Sequence, residues 1–297
     1  MPEVRRARAA DLARLVAFLD DGFVFGKGRS NSLARRFPGV FDEANARNLF
    51  FIEQDGVIVS ALAARPFDWI SQGRTWRGVM IGSVLTSEAH RGTGLAGRVL
   101  EHAAKTLSEE GRADFAVLWT SQPDFYRRFG WQSSDRGVLG QVEGQAATES
   151  PGLLAQGVTS DQWGQVEGIR ARSQLEGLRR APADFARLPL PAEAVQVFFD
   201  SVVNPQAYAL VGRAGTSGIV YEMIGDPGSF AVLWRNVLTR FSAVLINDCE
   251  GSASHRWHKT HSDVTWQQKP LAMWLPLSSG IDFATMRDWY VPYFDRI

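Results

Sequence analysis

The sequence predicts an α/β chain built from two related units, and three observations carry that prediction. Its 297 residues amount to roughly two domains of ~150 residues each. Strand-like and helix-like hydrophobic periods alternate along the chain. The element order of the first half returns, weakly, in the second. Thirty-two Lys and Arg balance thirty-two Asp and Glu, which argues against a nucleic-acid partner, and 45% hydrophobic with 22% charged residues is ordinary globular composition. No segment approaches the ~20 uninterrupted apolar residues of a membrane span. The single cysteine, Cys249, excludes an intrachain disulfide framework and a multi-thiolate metal site. Met1 to Asp21 carries Glu3, Asp11, Asp20 and Asp21 without an apolar core, so no secretory signal is expected and a cytoplasmic location fits.

Glu3 to Ala7 reads as a short strand, and Leu12, Leu15, Val16 and Leu19 recur at helical spacing. Asp20 to Asn48 mixes Gly, Ser, Pro and charges with Phe23, Phe25, Phe37 and Phe41, the pattern of short helices joined by mobile turns that cover a site. Asn48 to Gln54, the turn Asp55-Gly56 and Val57 to Pro66 form a hairpin signal, and a third strand runs from about Arg77 to Thr86. Leu95, Val99, Leu100, Ala103 and Leu107 make one apolar helix face ending at Gly111. Ala113 to Thr120 is an apolar strand, and Pro123 to Phe129 a short helix stopped by Gly130. Val142 to Gln156 reads as a linker between units expected at 1–145 and 146–297. Beyond it, Gln156 to Val158 and a helix with Trp163, Val166 and Ile169 repeat the opening of the chain. Ala207 to Val211, Gly218 to Ile224, Ala243 to Asn247 and Leu271 to Pro276 read as strands, and Ser229 to Leu238 as a helix.

The stretch from Val84 to Ala96 holds the chemistry: a strand passes through His90-Arg91-Gly92-Thr93-Gly94 into a helix. Glycines let backbone approach a ligand, and the free N–H groups of a helix start attract phosphate oxygens. Arg91 adds a permanent positive charge. The stretch lacks the Gly-Lys-Ser/Thr of a nucleotide P-loop and the Gly-x-Gly-x-x-Gly of a dinucleotide fold.

Arg91-Gly92-Thr93-Gly94-Leu95-Ala96 resembles the Arg/Gln-x-x-Gly-x-Gly/Ala signature of the GNAT superfamily of acyl-CoA-dependent N-acetyltransferases. Downstream, Phe125-Tyr126-Arg127-Arg128-Phe129-Gly130-Trp131 is similar to that family's Phe-Tyr-x-x-x-Gly-Phe segment, with Trp131 in the Phe position. The motifs cover roughly Val4 to Gly140, and the whole-chain order resembles tandem-GNAT proteins of the Eis type without their extra C-terminal domain. The resemblance implies two GNAT-like domains, each a mixed, mostly antiparallel sheet flanked by helices. It implies acetyl-CoA as cosubstrate, its pantetheine arm on the backbone of Val84, Leu85 and Thr86 and its pyrophosphate on Arg91, Gly92, Thr93, Gly94, Leu95 and Ala96. Tyr126 matches the tyrosine proposed to protonate the departing thiolate, and a backbone N–H near Leu85 would face the oxyanion. Thr120 and Ser121 are further hydroxyls near the expected cofactor.

The base stays open among Glu53, Asp68, Glu88, His90, Asp124 and a water chain, with Ile297 added by resemblance through its carboxylate. In the second half Gly225-Asp226-Pro227-Gly228-Ser229-Phe230 replaces the phosphate turn with an acidic one, so that unit is expected to bind no CoA. Its expected work is to wall the acceptor site, leaving room for a homo-oligomer contact. His255, His258 and His261 with Asp263 read as a solvated loop, and no metal is expected. The expected partner is a small-molecule or peptide amine, with a CoA-binding regulatory or scaffold protein as the alternative.

Overall fold

Two hydrogen-bonded sheets organise the chain. The computed structural model describes residues 2–145, 158–173, 176–180 and 194–297. The first half gives β1 (Val4–Arg6), α1 (Leu12–Phe23), α2 (Leu33–Arg36), β2 (Leu49–Gln54), β3 (Val57–Ser71), β4 (Arg74–Thr86), α3 (Leu95–Glu109), β5 (Phe115–Trp119), α4 (Pro123–Arg127), β6 (Gln132–Ser133) and β7 (Gly137–Glu143). The second half gives α5 (Ser160–Arg172), β8 (Gly177–Arg179), β9 (Ala194–Phe199), β10 (Ala207–Ala214), β11 (Ser217–Gly225), α6 (Phe230–Leu238), β12 (Ala243–Cys249), α7 (Ala253–His261), β13 (Thr265–Gln268), β14 (Ala272–Pro276) and α8 (Phe283–Met286).

Local chemistry explains the meander that opens the first sheet. Asp55 and Gly56, at φ 49° and 78°, join β2 to β3, and Gln72 and Gly73, at 51° and 72°, join β3 to β4. Paired left-handed residues ending in glycine match the twist of a tight hairpin. Both strands of the second hairpin run longer than the sequence pattern predicts. α1 likewise runs on to Phe23, past Asp20, because the buried Asp20 carboxylate accepts the Leu33 N–H of α2 at 2.7 Å and ties the two helices together.

Among the described residues, the first sheet has the order β1-β2-β3-β4-β5-β14-β6 with β8 added on β3, and the second has the order β13-β7-β12-β11-β10-β9. The sheets therefore exchange strands across the expected division at 145/146. β7, from the first half, pairs with β12, while β14, from the second half, pairs with β5. Leu271 to Pro276, expected in the second unit, thus lies in the first sheet. Part of the expected linker, Val142 and Glu143, is strand, and its remainder from 146, with the strand expected at Gln156 to Val158 as far as 157, lies outside the described residues.

Each sheet buries both faces. In the first, Leu95, Val99, Leu100, Ala103 and Leu107 of α3 pack against Phe50, Leu62 and Ile81 on one side. Leu15 and Leu19 of α1 pack against Phe51, Ala61 and Ala63 on the other. In the second, Phe230, Leu233 and Val237 of α6 cover one face, and Val166 and Ile169 of α5 the other. A third cluster around Trp69, Phe115, Trp274 and Trp289 closes the base of the first sheet. His255 and His258 belong to α7 rather than a solvated loop: Ser252 caps that helix, and both rings are buried against Trp266. Burial of their aromatic faces, which spacing alone does not display, is what holds them in place.

Candidate acyl-transfer site

The site begins where two parallel strands part. β4 and β5 pair only from Gly78/Phe115 to Met80/Val117. Beyond that rung β4 continues to Thr86 held by β3 alone, with a bulge opposite Ala61 to Ala63 and Ser83 in the left-handed region at φ 50°. The strand bends at this point, and among the described residues its edge towards β5 has no strand partner from Ile81 to Thr86. Val84 and Leu85 send their side chains to opposite faces, into the α3 core and the α1 core, so their peptide groups stand in the gap. Ser60 fastens the strand end, meeting Thr86 Oγ1 at 2.9 Å and donating to the Leu85 carbonyl at 3.2 Å.

At the end of that gap lies the glycine turn. Gly92 and Gly94 adopt φ 79° and 82°, and a Cβ at either would meet no heavy atom within 4 Å. The glycines are thus required by their backbone angles, and the space beside them is open. Gly94 is the N-cap of α3, and among the described residues no side chain caps that helix, so its first N–H groups stand as donors at the positive end of the dipole. Thr93 Oγ1 donates to the His90 carbonyl at 2.6 Å and tightens the turn. The Arg91 guanidinium is largely exposed, 3.7 Å from Glu88. Arg91, Gly92, Thr93, Gly94, Leu95 and Ala96 therefore form one anion-ready surface next to Val84, Leu85 and Thr86.

Tyr126 lies on α4, the helix that follows β5, and packs against the same core as Val84. Its ring packs edge-on to Phe125 at 4.9 Å and Trp131 at 6.2 Å. Burial pushes its hydroxyl up to about 12, so the phenol keeps its proton at neutral pH. The two sequence motifs meet directly: a Cβ on Gly97 of α3 would come 2.5 Å from the Phe129 ring. Thr120 Oγ1 accepts the Gln122 N–H at 2.9 Å and serves as a local cap.

The candidate bases are scattered. Glu53 pairs with Arg5 and Arg14 at the hairpin end, and Asp124 pairs with Arg127 on the surface. Asp68 lies opposite Arg77 and Arg179, far down β3. Glu88 is exposed, and the His90 Nδ1 is 2.8 Å from Ser87 Oγ. Ile297 reaches β4 within its unpaired stretch: a Cβ on Gly82 would lie 3.1 Å from its main-chain carbon and oxygen.

A charge network that the sequence does not announce anchors this last segment. Arg180 donates to both oxygens of Asp295 at 2.8 and 2.7 Å and to both oxygens of Glu222 at 2.8 and 3.0 Å. Arg170 and the Tyr208 hydroxyl complete the Glu222 shell at 2.9 and 2.7 Å. The adjacent guanidinium groups hold the buried Glu222 carboxyl down to about 2, against the cost of burial. Its members come from α5, the end of β8, β10, β11 and the last residues, and no local pattern links positions 170, 180, 208, 222 and 295.

Among the described residues no helix is long and apolar enough to cross a membrane, and no three His, Cys, Asp or Glu side chains converge on a metal site.

Residues 3–133 match the family described as acetyltransferase (GNAT) domain. A GCN5-related N-acetyltransferase from Anabaena variabilis superposes with a TM-score of 0.70 at 14% identity, over 94% of this chain and 73% of that one. Eis1 from Mycobacterium abscessus gives 0.63 at 12% identity, over 93% and 74%. A tandem GNAT protein from the clavulanic acid biosynthesis pathway gives 0.54 at 12%, over 94% of this chain and 99% of that one. No curated protein matches the sequence. Such identities speak to fold alone, and the fold agrees with the strand gap, glycine turn and two-sheet plan just described. Residues 3–133 are accordingly a GNAT acetyltransferase domain, within a chain whose overall fold is that of tandem GNAT proteins.

Proposed function

We propose that this protein transfers an acetyl group from acetyl-CoA to a primary amine in the gap between β4 and β5. The observation that carries the reading is the union of three features in one place: an unpaired strand edge, an open left-handed glycine turn with Arg91, and an uncapped helix start. Together they fit a ligand with an amide-bearing arm and a diphosphate. Val84, Leu85 and Thr86 would hold the arm as an added strand holds a sheet edge. Arg91 to Ala96 would hold the diphosphate through backbone N–H groups and one guanidinium.

Acetyl-CoA supplies an activated thioester. Around it the chain positions the amine within reach of the carbonyl carbon, aims a backbone N–H near Leu85 at the carbonyl oxygen, and offers the Tyr126 proton to the leaving sulfur. Nitrogen forms the new bond to the acyl carbon as the carbon–sulfur bond breaks. The amine then loses a proton to solvent water, on the side of the gap where the Ile297 main chain lies against Gly82. Acceptor identity would be set by the α1–α2 segment over Leu85 and by the second sheet, since pocket shape decides between amines.

Calorimetry with acetyl-CoA, on the wild type and on Arg91→Glu combined with Gly94→Trp, tests the cofactor half. One site per chain, lost in the double variant, is expected. A screen of primary amines for thiol release tests the reaction, and acetyl-CoA binding without turnover on any amine would replace the enzyme by a CoA-responsive regulator.

A further inference from the structure

The second sheet has a strand gap of its own, and it opens into a cavity of about 660 Å³. β11 and β12 pair in parallel only from Ser217/Ala243 to Val220/Ile246, just as β4 and β5 part after Met80/Val117. The cavity is lined by Tyr221 to Gly225 of β11 and by Asn247 to Cys249 of β12, in unbroken runs. Side chains alternate between the faces of a sheet, so successive residues of one strand reach a cavity together only through its backbone edge. β10 occupies the other edge of β11 as far as Gly225. Among the described residues, no backbone hydrogen bond takes up the gap-facing edge of Tyr221 to Gly225. Two of the lining residues, Trp69 and Tyr221, carry buried polar atoms that have no hydrogen-bond partner among the described residues.

The chemistry of the walls differs from that of the first gap. Asp226 stands at the turn after β11 and accepts the Gly228 N–H at 3.1 Å, while Pro227 offers no N–H, so the turn turns a carboxylate and not donors towards a ligand. Asp248 lies deep in the wall, accepting from Ser252 Oγ and the Cys249 N–H at 2.7 Å each, and from Ser254 Oγ at 2.5 Å, with no Lys or Arg among those donors. The lining arginines are committed elsewhere, Arg170 to Glu222 and Arg172 to the Pro205 carbonyl. Opposite the strands, Trp69 and Trp289 stack at 4.8 Å and present an aromatic wall. An unpaired strand edge asks for amides, carboxylates ask for a cation, and an aromatic wall suits the alkyl stem and head of an ammonium group.

We propose that the β11/β12 gap is a second ligand site, for a short basic peptide bound as an added strand, and that it excludes CoA. Trp69 pairs with Trp76, six residues before Gly82 on β4, so this site lies about 20 Å along the strand from the acyl-transfer gap. The volume lies inside the range of small-ligand sites, roughly 300–1,000 Å³. The proposal does not depend on catalysis by the first gap.

Calorimetry and tryptophan fluorescence with the tripeptide Ala-Lys-Ala, on the full chain, test it. One site per chain is expected, with Ala-Glu-Ala at least 10-fold weaker. Asp248→Asn should weaken Ala-Lys-Ala at least 10-fold. Ala253→Trp, at an exposed position in the first turn of α7 that lines the cavity, should abolish binding by filling the mouth. Thermal melts of both variants, and their acetyl-CoA titrations at the first gap, should match the wild type. No binding of Ala-Lys-Ala, equal binding of Ala-Glu-Ala, or binding that survives Ala253→Trp overturns the proposal. So does a second acetyl-CoA site per chain that Ala253→Trp removes. Loss of acetyl-CoA binding in every protein, with peptide binding intact, would instead count against the function proposed for the first gap.

Discussion

The two strand gaps share a framework and differ in their electrostatics. β4 and β11 each leave their parallel neighbour after a few rungs, each leads into a turn and a helix, and each neighbour strand is followed by a short helix, α4 or α7. In the first gap the turn is Arg91-Gly92-Thr93-Gly94, with two left-handed glycines and an uncapped helix. In the second it is Gly225-Asp226-Pro227-Gly228, where a carboxylate and a proline take the place of donors. The sheet geometry creates a slot in both, and the four or five residues after the strand set the sign of the charge at its end.

The largest expected effect separates the gaps outright. Arg91→Glu with Gly94→Trp should remove measurable acetyl-CoA binding, because it reverses the charge and fills the open space beside the turn, whereas Asp226→Lys should leave that affinity unchanged. Isothermal titration of both proteins reads the difference.

Next comes the network that joins the sheets. Asp295→Asn leaves Arg180 buried with less than its full complement of charge, and breaking one partner of a buried pair typically costs about 3–5 kcal/mol. Chemical denaturation should show a loss of that order. A fall in stability below about 1 kcal/mol would mean that Arg180 stays satisfied without the Asp295 charge.

Tyr126→Phe should lower the acetyl-transfer rate by about 100-fold while acetyl-CoA affinity stays within twofold of wild type. With the Tyr126 hydroxyl at about 12, the wild-type rate should show no loss attributable to its ionisation up to about pH 10. An inflection near pH 8 that vanishes in Tyr126→Phe would assign it a different role.

The smallest effect lies in α7, the counterpart of α4. Burial among Trp234, Trp257 and Trp266 pushes His258 down to about 4 from an ordinary 6.5. As pH falls below 6.5 the unfolded chain takes up this proton first, so stability declines between pH 6.5 and 4 and levels off below. The loss attributable to His258 is about 2 kcal/mol at pH 5. His258→Gln should flatten that part of the stability profile in urea titrations at pH 7 and pH 5, even if it lowers the plateau.

The first gap was legible in the sequence because its parts are contiguous. Val84 to Ala96 is a single strand–turn–helix passage, and Phe125 to Trp131 follows within one further strand and helix. The Cβ-free approach of Gly97 to Phe129 shows why the two motifs travel together. Less of the second half was legible. β9 and β13 carry no strong alternation, and the buried imidazoles of α7 look polar until Trp234 and Trp266 are seen against them. The α1–α2 segment was misjudged at Asp20 for a related reason: a charged residue in the sequence becomes a helix tether once a backbone N–H thirteen residues on donates to it.

By itself, then, the sequence determined the local passages: the left-handed hairpin at Asp55-Gly56, the apolar face of α3, the glycine turn with its arginine, and the acidic turn that replaces it in the second half. These depend on backbone angles and on neighbours within a few residues, which sequence order fixes directly. The tertiary structure alone decided the exchange of β7 and β14 between sheets, the meeting of Arg170, Arg180, Glu222 and Asp295, the seat of Ile297 against Gly82, and the cavity behind β11. Each of these joins residues tens to hundreds of positions apart. Their pairing is selected by how much apolar surface and how many hydrogen bonds the whole assembly satisfies at once, a quantity that no short window of sequence contains.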